Sequence, residues 1–141
     1  MLLIACSDDA ISPEEEIRRF IDAGVESAEA RSVGGLEALI HPNYLDQKSQ
    51  NKKQATNLLR GLFFRHKQIF LLTRIDSIEF VSEREAIVKM KVAMAGSEIS
   101  GLEALVSLRA QIYAFELNML KDDDWRLQYS KWRRASIAEF E

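Results

Sequence analysis

The sequence predicts an α+β fold in which N-terminal helices pack into a strongly curved antiparallel sheet. Three observations lead there. Apolar residues recur at helical spacing through the first part of the chain and alternate with polar ones in the second. Both strong helix-start signals, at Ser12 and at Asn51, fall in that first part. Short turn signals such as Asp122-Asp123-Asp124 then separate runs of β-formers. Helices first and strands afterwards is the order of a sheet with helices gathered on one face.

Ser12-Pro13-Glu14-Glu15 opens the first helix: Ser12 caps, Pro13 suits the first helical position, and Glu15 completes a capping box. Ile17, Phe20, Ile21, Val25 and Ala28 keep the spacing of one buried face. Gly34-Gly35 is read as the interruption. Leu36, Leu39 and Ile40 then predict a short second helix that stops before Pro42, because the residue preceding proline avoids helical angles. Asn51 and Gln54 predict another capping box, followed by a stripe of Ala55, Leu58, Leu59, Leu62, Phe63 and His66.

Residues 69–81 are rich in β-formers, with a shift of alternation that predicts a bulge. Glu83-Arg84-Glu85 reads as a turn. Val88, Met90, Val92 and Met94 then alternate with Lys89, Lys91 and Ala93, the pattern of a strand with one buried and one wet face. Tyr113, Phe115, Leu117 and Met119 repeat that alternation, and the last strand spans 125–132. The connection over 96–109 is longer than a hairpin of about 2–5 residues requires. It carries Leu102, Leu105 and Val106 at helical spacing, which predicts a helical turn over the mouth of the curved sheet, acting as lid, plug or partner interface.

Composition narrows the function classes. A chain of 141 residues with 47% hydrophobic residues suits one domain, and no apolar run approaches the roughly 20 residues of a membrane-spanning helix. One cysteine excludes an intramolecular disulfide and thiolate-rich zinc sites, and two histidines cannot supply a three-histidine zinc site. No metal and no cofactor are expected. A net charge of −3, mixed in sign along the chain, does not point to nucleic acid.

The N-terminus offers a localisation signal. Leu3-Ile4-Ala5-Cys6 has the form of a bacterial lipobox, two apolar residues and a small one before a cysteine that becomes acylated. Residues 1–11 therefore read as a truncated signal remnant, lipobox and tether, and residues 12–141 as a single domain. A secretory signal needs an apolar stretch of about 7–15 residues, and only five precede Cys6. Ser7 after the cysteine suits the periplasmic face of the outer membrane. If the lipobox is fortuitous, the protein is cytoplasmic.

The amphipathic first helix, the passage His41-Pro42-Asn43-Tyr44-Leu45-Asp46, the second capped helix, and the ends Asp124-Trp125-Arg126-Leu127 and Ser130-Lys131-Trp132-Arg133 together resemble the nuclear transport factor 2-like superfamily over about residues 12–136. With the lipobox, the likeness is to its bacterial lipoproteins of unassigned activity. The resemblance implies a cone, the sheet curling around the helices, often with a pocket at the wide end. It also implies a choice among isomerase-like enzymes, cyclases, dehydratases, transport adaptors and binding modules, because fold alone does not select function.

Ketosteroid isomerase-like sites in that superfamily place a carboxylate base and hydrogen-bond donors in the pocket. Tyr44, Asp46 and His66 are the catalytic candidates here. The structural alternatives are a solvated loop carboxylate for Asp46, a core-edge histidine for His66 and a helix-end cap for His41. Glu116, opposite the aromatic face of its strand, reads as solvent-facing. Phe63, His66, Tyr113 and Trp132 are the expected pocket lining, while Phe115 and Trp125 are read as core. The function expected is a lipid-anchored periplasmic module binding a small apolar molecule or another envelope protein, with homodimer formation open. A small enzyme using a polar pair in the pocket and a purely structural envelope protein are the alternatives.

Overall fold

The computed structural model describes residues 10–141. The lipobox with Cys6 lies outside the described residues. Five helices, α1 (Pro13–Glu29), α2 (Val33–Glu37), α3 (Lys52–Arg65), α4 (Leu102–Ser107) and α5 (Ile137–Phe140), accompany five strands. The strands are β1 (Ile40–Asp46), β2 (Phe70–Ser82), β3 (Glu85–Ala95), β4 (Gln111–Lys121) and β5 (Trp125–Arg134). They form one sheet in the order β1-β5-β4-β3-β2.

Local chemistry places the helices. Ser12 accepts from the Glu15 backbone N–H at 3.1 Å, with Pro13 at the first helical position, but the expected box does not close, because the Glu15 carboxylate pairs with Arg19 one turn on. The Asn51–Gln54 capping box at α3 is complete, each side chain bonding the other's backbone N–H at 2.9 Å. The break after α1 falls at Arg31, whose φ is +56°, and not at the glycine pair, which lies inside α2. Gly35 is there for close approach: a Cβ on it would stand 2.5 Å from the Ser27 hydroxyl of α1.

The passage expected to end a helix before Pro42 instead forms a strand. Helix α2 stops at Glu37, and Ile40 opens β1, which pairs with β5 in parallel and so departs from an all-antiparallel sheet. Proline is tolerated because β1 is an edge strand, where a missing N–H costs no interior ladder bond. The β1–β5 register shifts between Ile40 and Leu45, around Pro42. The expected bulge of β2 lies between Ile75 and Ser77. The long antiparallel ladders of β2, β3, β4 and β5 follow the alternation read from the sequence.

Two apolar cores form on opposite faces of the sheet. On the helix-covered face, Ile17 and Ile21 of α1 meet Val88, Met90, Met119 and Trp125. Each such side chain removed from water is worth about 1.5–3 kcal/mol. Farther along β3 the buried side switches: Ala93 joins Ile112, Leu105 and Phe140 on the outer face. This corrects the expectation for 96–109. The segment does form helix α4, but Leu105, 1% exposed, packs on the back of the sheet, while Leu102 and Val106 face solvent. It is neither a lid nor a plug, because the second core draws it to the opposite face. Helix α5, an element beyond those expected from periodicity, is tied down by its own Ser136–Glu139 capping box and by the Arg74 guanidinium, which donates to the Phe140 carbonyl at 2.7 Å.

Candidate functional site

Beneath the helices the sheet leaves a cavity of about 460 Å³. Phe20 and Val25 of α1, Leu59 and Leu62 of α3, and Met90 and Phe115 of the sheet represent its almost wholly apolar wall. That volume and composition fall in the range of small-molecule sites. Helix α3 forms one side of the mouth, where Leu58 lines the cavity yet is 53% exposed.

The polar groups gather at one end. Alternation along β1 puts Tyr44 and Asp46 on the same side, and the parallel register sets Asp46 beside Ser130 of β5. All three line the cavity and each is 4% exposed. Trp132 follows two residues after Ser130, and its backbone N–H donates to Gln47 Oε1 at 2.9 Å, stitching the turn after β1 to β5.

Tyr44 Oη and Ser130 Oγ share a hydrogen bond of 2.8 Å. Burial pushes the Tyr44 hydroxyl pKa up to about 12; the Ser130 bond works against that, and the adjacent Asp46 carboxylate adds to it by both its charge and its hydrogen-bonding proximity. Asp46 Oδ1 accepts from the Lys48 and Gln50 backbone N–H groups at 2.8 and 3.0 Å, an Asx turn that fixes the carboxylate. Its other oxygen, Oδ2, is buried without any hydrogen-bond partner. Gln50 Oε1 in the same turn is likewise buried and unpartnered. Among the lining residues Asp46 alone carries a formal charge.

Tyr44 and Trp132, both singled out by the sequence, line this cavity. The solvated-loop reading of Asp46 is corrected: the residue ends a strand, and the turn buries it. Phe63, His66 and Tyr113 are not in the lining. Phe63 is buried, and its carbonyl accepts from the Arg31 guanidinium at 3.0 Å. His66 caps the C-terminus of α3 in an extended conformation, where the helix has ended and its stripe no longer applies. Tyr113 packs on Phe115, with ring centroids 6.3 Å apart, and lies under the Arg134 guanidinium at 5.4 Å. Phe115, read as core, contributes to the cavity wall, whereas Trp125 belongs to the first core. Leu102, Leu105 and Val106 do not touch the cavity.

His41 caps no helix. In β1 its Nδ1 accepts from the Asn43 N–H at 3.0 Å, so the ring proton is on Nε2 and donates to Asp122 at 3.1 Å. Glu116 faces outward toward Lys131, 4.0 Å away. Among the described residues, no three His, Cys, Asp or Glu side chains gather as a metal site requires, and no helix is long and apolar enough to cross a membrane. Ser130 is the member of the site absent from the sequence-derived candidates. Its place two residues before Trp132 is the signal that could have found it, since both project from the same side of a strand.

The architecture matches known structures. A provisionally named scytalone dehydratase from Novosphingobium aromaticivorans is 17% identical and superposes with a TM-score of 0.71 over 87% of this chain and 84% of that one. A ketosteroid isomerase-like protein from Erwinia carotovora atroseptica is 11% identical, with a TM-score of 0.65 over 89% of this chain and 99% of that one. The fold is the nuclear transport factor 2-like cone. A domain of unknown function with a cystatin-like fold from Nostoc punctiforme, 15% identical, shares the cone over 94% of this chain and 80% of its own, with a TM-score of 0.65. At these identities the likeness is one of fold. No family model and no curated protein matches the chain.

Proposed function

We propose that the cone binds a small, largely apolar molecule whose one polar group sits against Tyr44, Asp46 and Ser130. The observation that carries this reading is an apolar cavity of about 460 Å³ whose polar groups converge at a single end. An apolar wall supplies affinity, and a few placed polar groups supply orientation. The test is an NMR screen of apolar fragments against the full chain, following the Trp132 indole resonance. Binders move that resonance, and Ala28→Phe, which adds bulk from α1 into the space, abolishes the shift. A library that leaves Trp132 unmoved overturns the reading.

Proton-transfer catalysis, of the isomerase or dehydratase kind named for two of the structural neighbours, is the second reading. Asp46 favours it, because a buried carboxylate beside a hydroxyl pair is the arrangement of a base and a donor. Its check is the exchange of α-deuterium from ketone fragments found to bind, with loss of that exchange in Asp46→Asn. Acylation of Cys6, holding the cone at the periplasmic face of the outer membrane, belongs to the same proposal. Palmitate labelling that is equal in wild type and Cys6→Ala overturns that part.

A further inference from the structure

We infer that the outer face of α3 docks on an anionic membrane surface, bringing the cavity mouth up to the lipid. The proposal stands on surface charge and exposure and goes beyond the binding reading above. The chain carries a net charge of −3, yet no Asp or Glu occurs between Asp46 and Asp76. Lys52, Lys53, Arg60, Arg65 and Lys67 all fall in that stretch, within α3 or just past its end. Cations are thus gathered on one element of an acidic protein. Among the described residues none of these side chains is held in an ion pair. Arg60 donates to Asn57 Oδ1 at 2.9 Å, a neutral partner that leaves its charge uncompensated. The groove beside α3 sets Lys52, Lys53 and Arg60 against a single carboxylate, Glu37 of α2.

Phe64 turns this charged patch into a surface for lipid. It is 89% exposed, the highest value among the large apolar side chains of the described residues. Lys53 and Arg60 lie eleven and four residues before it, which puts all three on one side of the helix. The opposite side carries Ala55, Leu59 and Leu62 of the cavity wall. An aromatic ring set among lysine and arginine side chains is the composition of an interfacial helix: the cations meet lipid phosphates, and the ring enters the boundary beneath them. An acidic protein would pair the cations and leave the ring in water. Leu58, at the cavity mouth, stands between the two sides of the helix. A bilayer lying on the Phe64 side therefore reaches the mouth, and an apolar ligand passes from acyl chains into the cone with little exposure to water.

Co-sedimentation of the full chain with lipid vesicles tests this, in a Cys6→Ala background so that acylation plays no part. Vesicles of equal phosphatidylglycerol and phosphatidylcholine are expected to bind the protein at low salt and release it at high salt, and pure phosphatidylcholine vesicles should not bind it. Lys53→Gln with Arg60→Gln should weaken binding about 25-fold, about fivefold for each cation removed. Phe64→Ser should weaken it about tenfold through lost apolar burial. All three positions are exposed, so the variants should keep the wild-type circular dichroism. Lys89→Gln with Lys131→Gln removes the same charge from the outer face of the sheet and should change nothing. A polarity-sensitive dye on Phe64→Cys, the single cysteine in that background, should shift to the blue on the mixed vesicles. The proposal is overturned by failure to bind the mixed vesicles, by equal binding to pure phosphatidylcholine, or by an equal loss from the sheet-face pair. If polyglutamate binds where the vesicles do not, the face serves an acidic protein and the membrane reading falls. Apolar fragments that still move the Trp132 resonance in any of these cases leave the cavity reading standing.

Discussion

The two ends of the sheet are built in opposite senses. At one end the helix-covered face is packed solid by α1 against Val88, Met119 and Trp125, and the back of β3 and β4 carries solvated charges such as Lys89 and Glu116. At the other end the helix-covered face is hollow, and the solid packing has moved behind it, where Leu105 and Phe140 cover Ala93 and Ile112. Along β3 and β4 the packed face thus passes from one side of the sheet to the other. A sheet needs a single well-packed face to be held, so the second core lets the cone keep a hollow without losing its support. Stability and ligand space are drawn from different sides of the same strands.

That contrast can be broken most forcefully in the cores. Ile17→Ala in the first core and Leu105→Ala in the second should each cost about 2–5 kcal/mol in urea unfolding, whereas Leu59→Ala in the cavity wall should cost about 1 kcal/mol or less, since it enlarges a space already empty. Equal losses at all three would mean that the hollow is a packed core after all.

The polar end of the cavity gives the next largest effect. Ser130→Ala strands the buried Tyr44 hydroxyl and should cost about 1–3 kcal/mol. The same environment is visible by ultraviolet titration: of the three tyrosines, Tyr44 should ionise last, near pH 12. The sign follows from burial, which favours the neutral phenol. Its stabilising contribution is whole below the ordinary tyrosine pKa of 10.0 and is lost as pH rises through about 12.

Glu16 sharpens the comparison from the solid end. Its carboxylate accepts from Trp125 Nε1 at 2.8 Å and Lys121 Nζ at 3.0 Å, joining α1 to the β4–β5 turn, and the Trp125 bond followed by the Lys121 bond holds its pKa below the ordinary 4.5. A carboxyl lowered in the fold contributes stability above 4.5 that is lost as pH falls through the folded value. Glu16→Gln should lower stability at neutral pH and flatten its fall on the acid side, the two proteins converging at low pH in urea unfolding followed by tryptophan fluorescence. The smallest effect belongs to the outer face, where Lys131→Ala, breaking the 4.0 Å contact with Glu116, should change stability by about 0–1 kcal/mol.

The long elements are legible in the sequence because their periods are clean. Ser12, the Asn51–Gln54 pair and the alternation of β3 and β4 each act within a few residues, and all are where local chemistry puts them. The site is only half legible. Tyr44 stands out, yet β1 is hidden because Leu36, Leu39 and Ile40 read as a helix ended by Pro42, and only the pairing with β5 overrides that pattern. Asp46 looks solvated because its neighbours are polar, although those neighbours turn their backbone amides toward it. His66 is misplaced by extending a helical stripe one residue past the last helical turn. The second core is illegible in β3 alone, since Ala93 sits among polar positions in an alternating pattern and is buried only by α4 and α5, which arrive from elsewhere in the chain.

Helix α3 packs chiefly on α2 and β1, with the Arg31 guanidinium tying its last turn through the Phe63 carbonyl. Both apolar cores lie elsewhere, and the cavity mouth runs along this helix at Leu58. For the ligand proposed above, that attachment would act as a clock: entry and exit would be timed by the loosening of α3, and tightness set by the wall behind. Substitutions at Arg31 would accordingly change residence time and association rate together, with little change in equilibrium affinity.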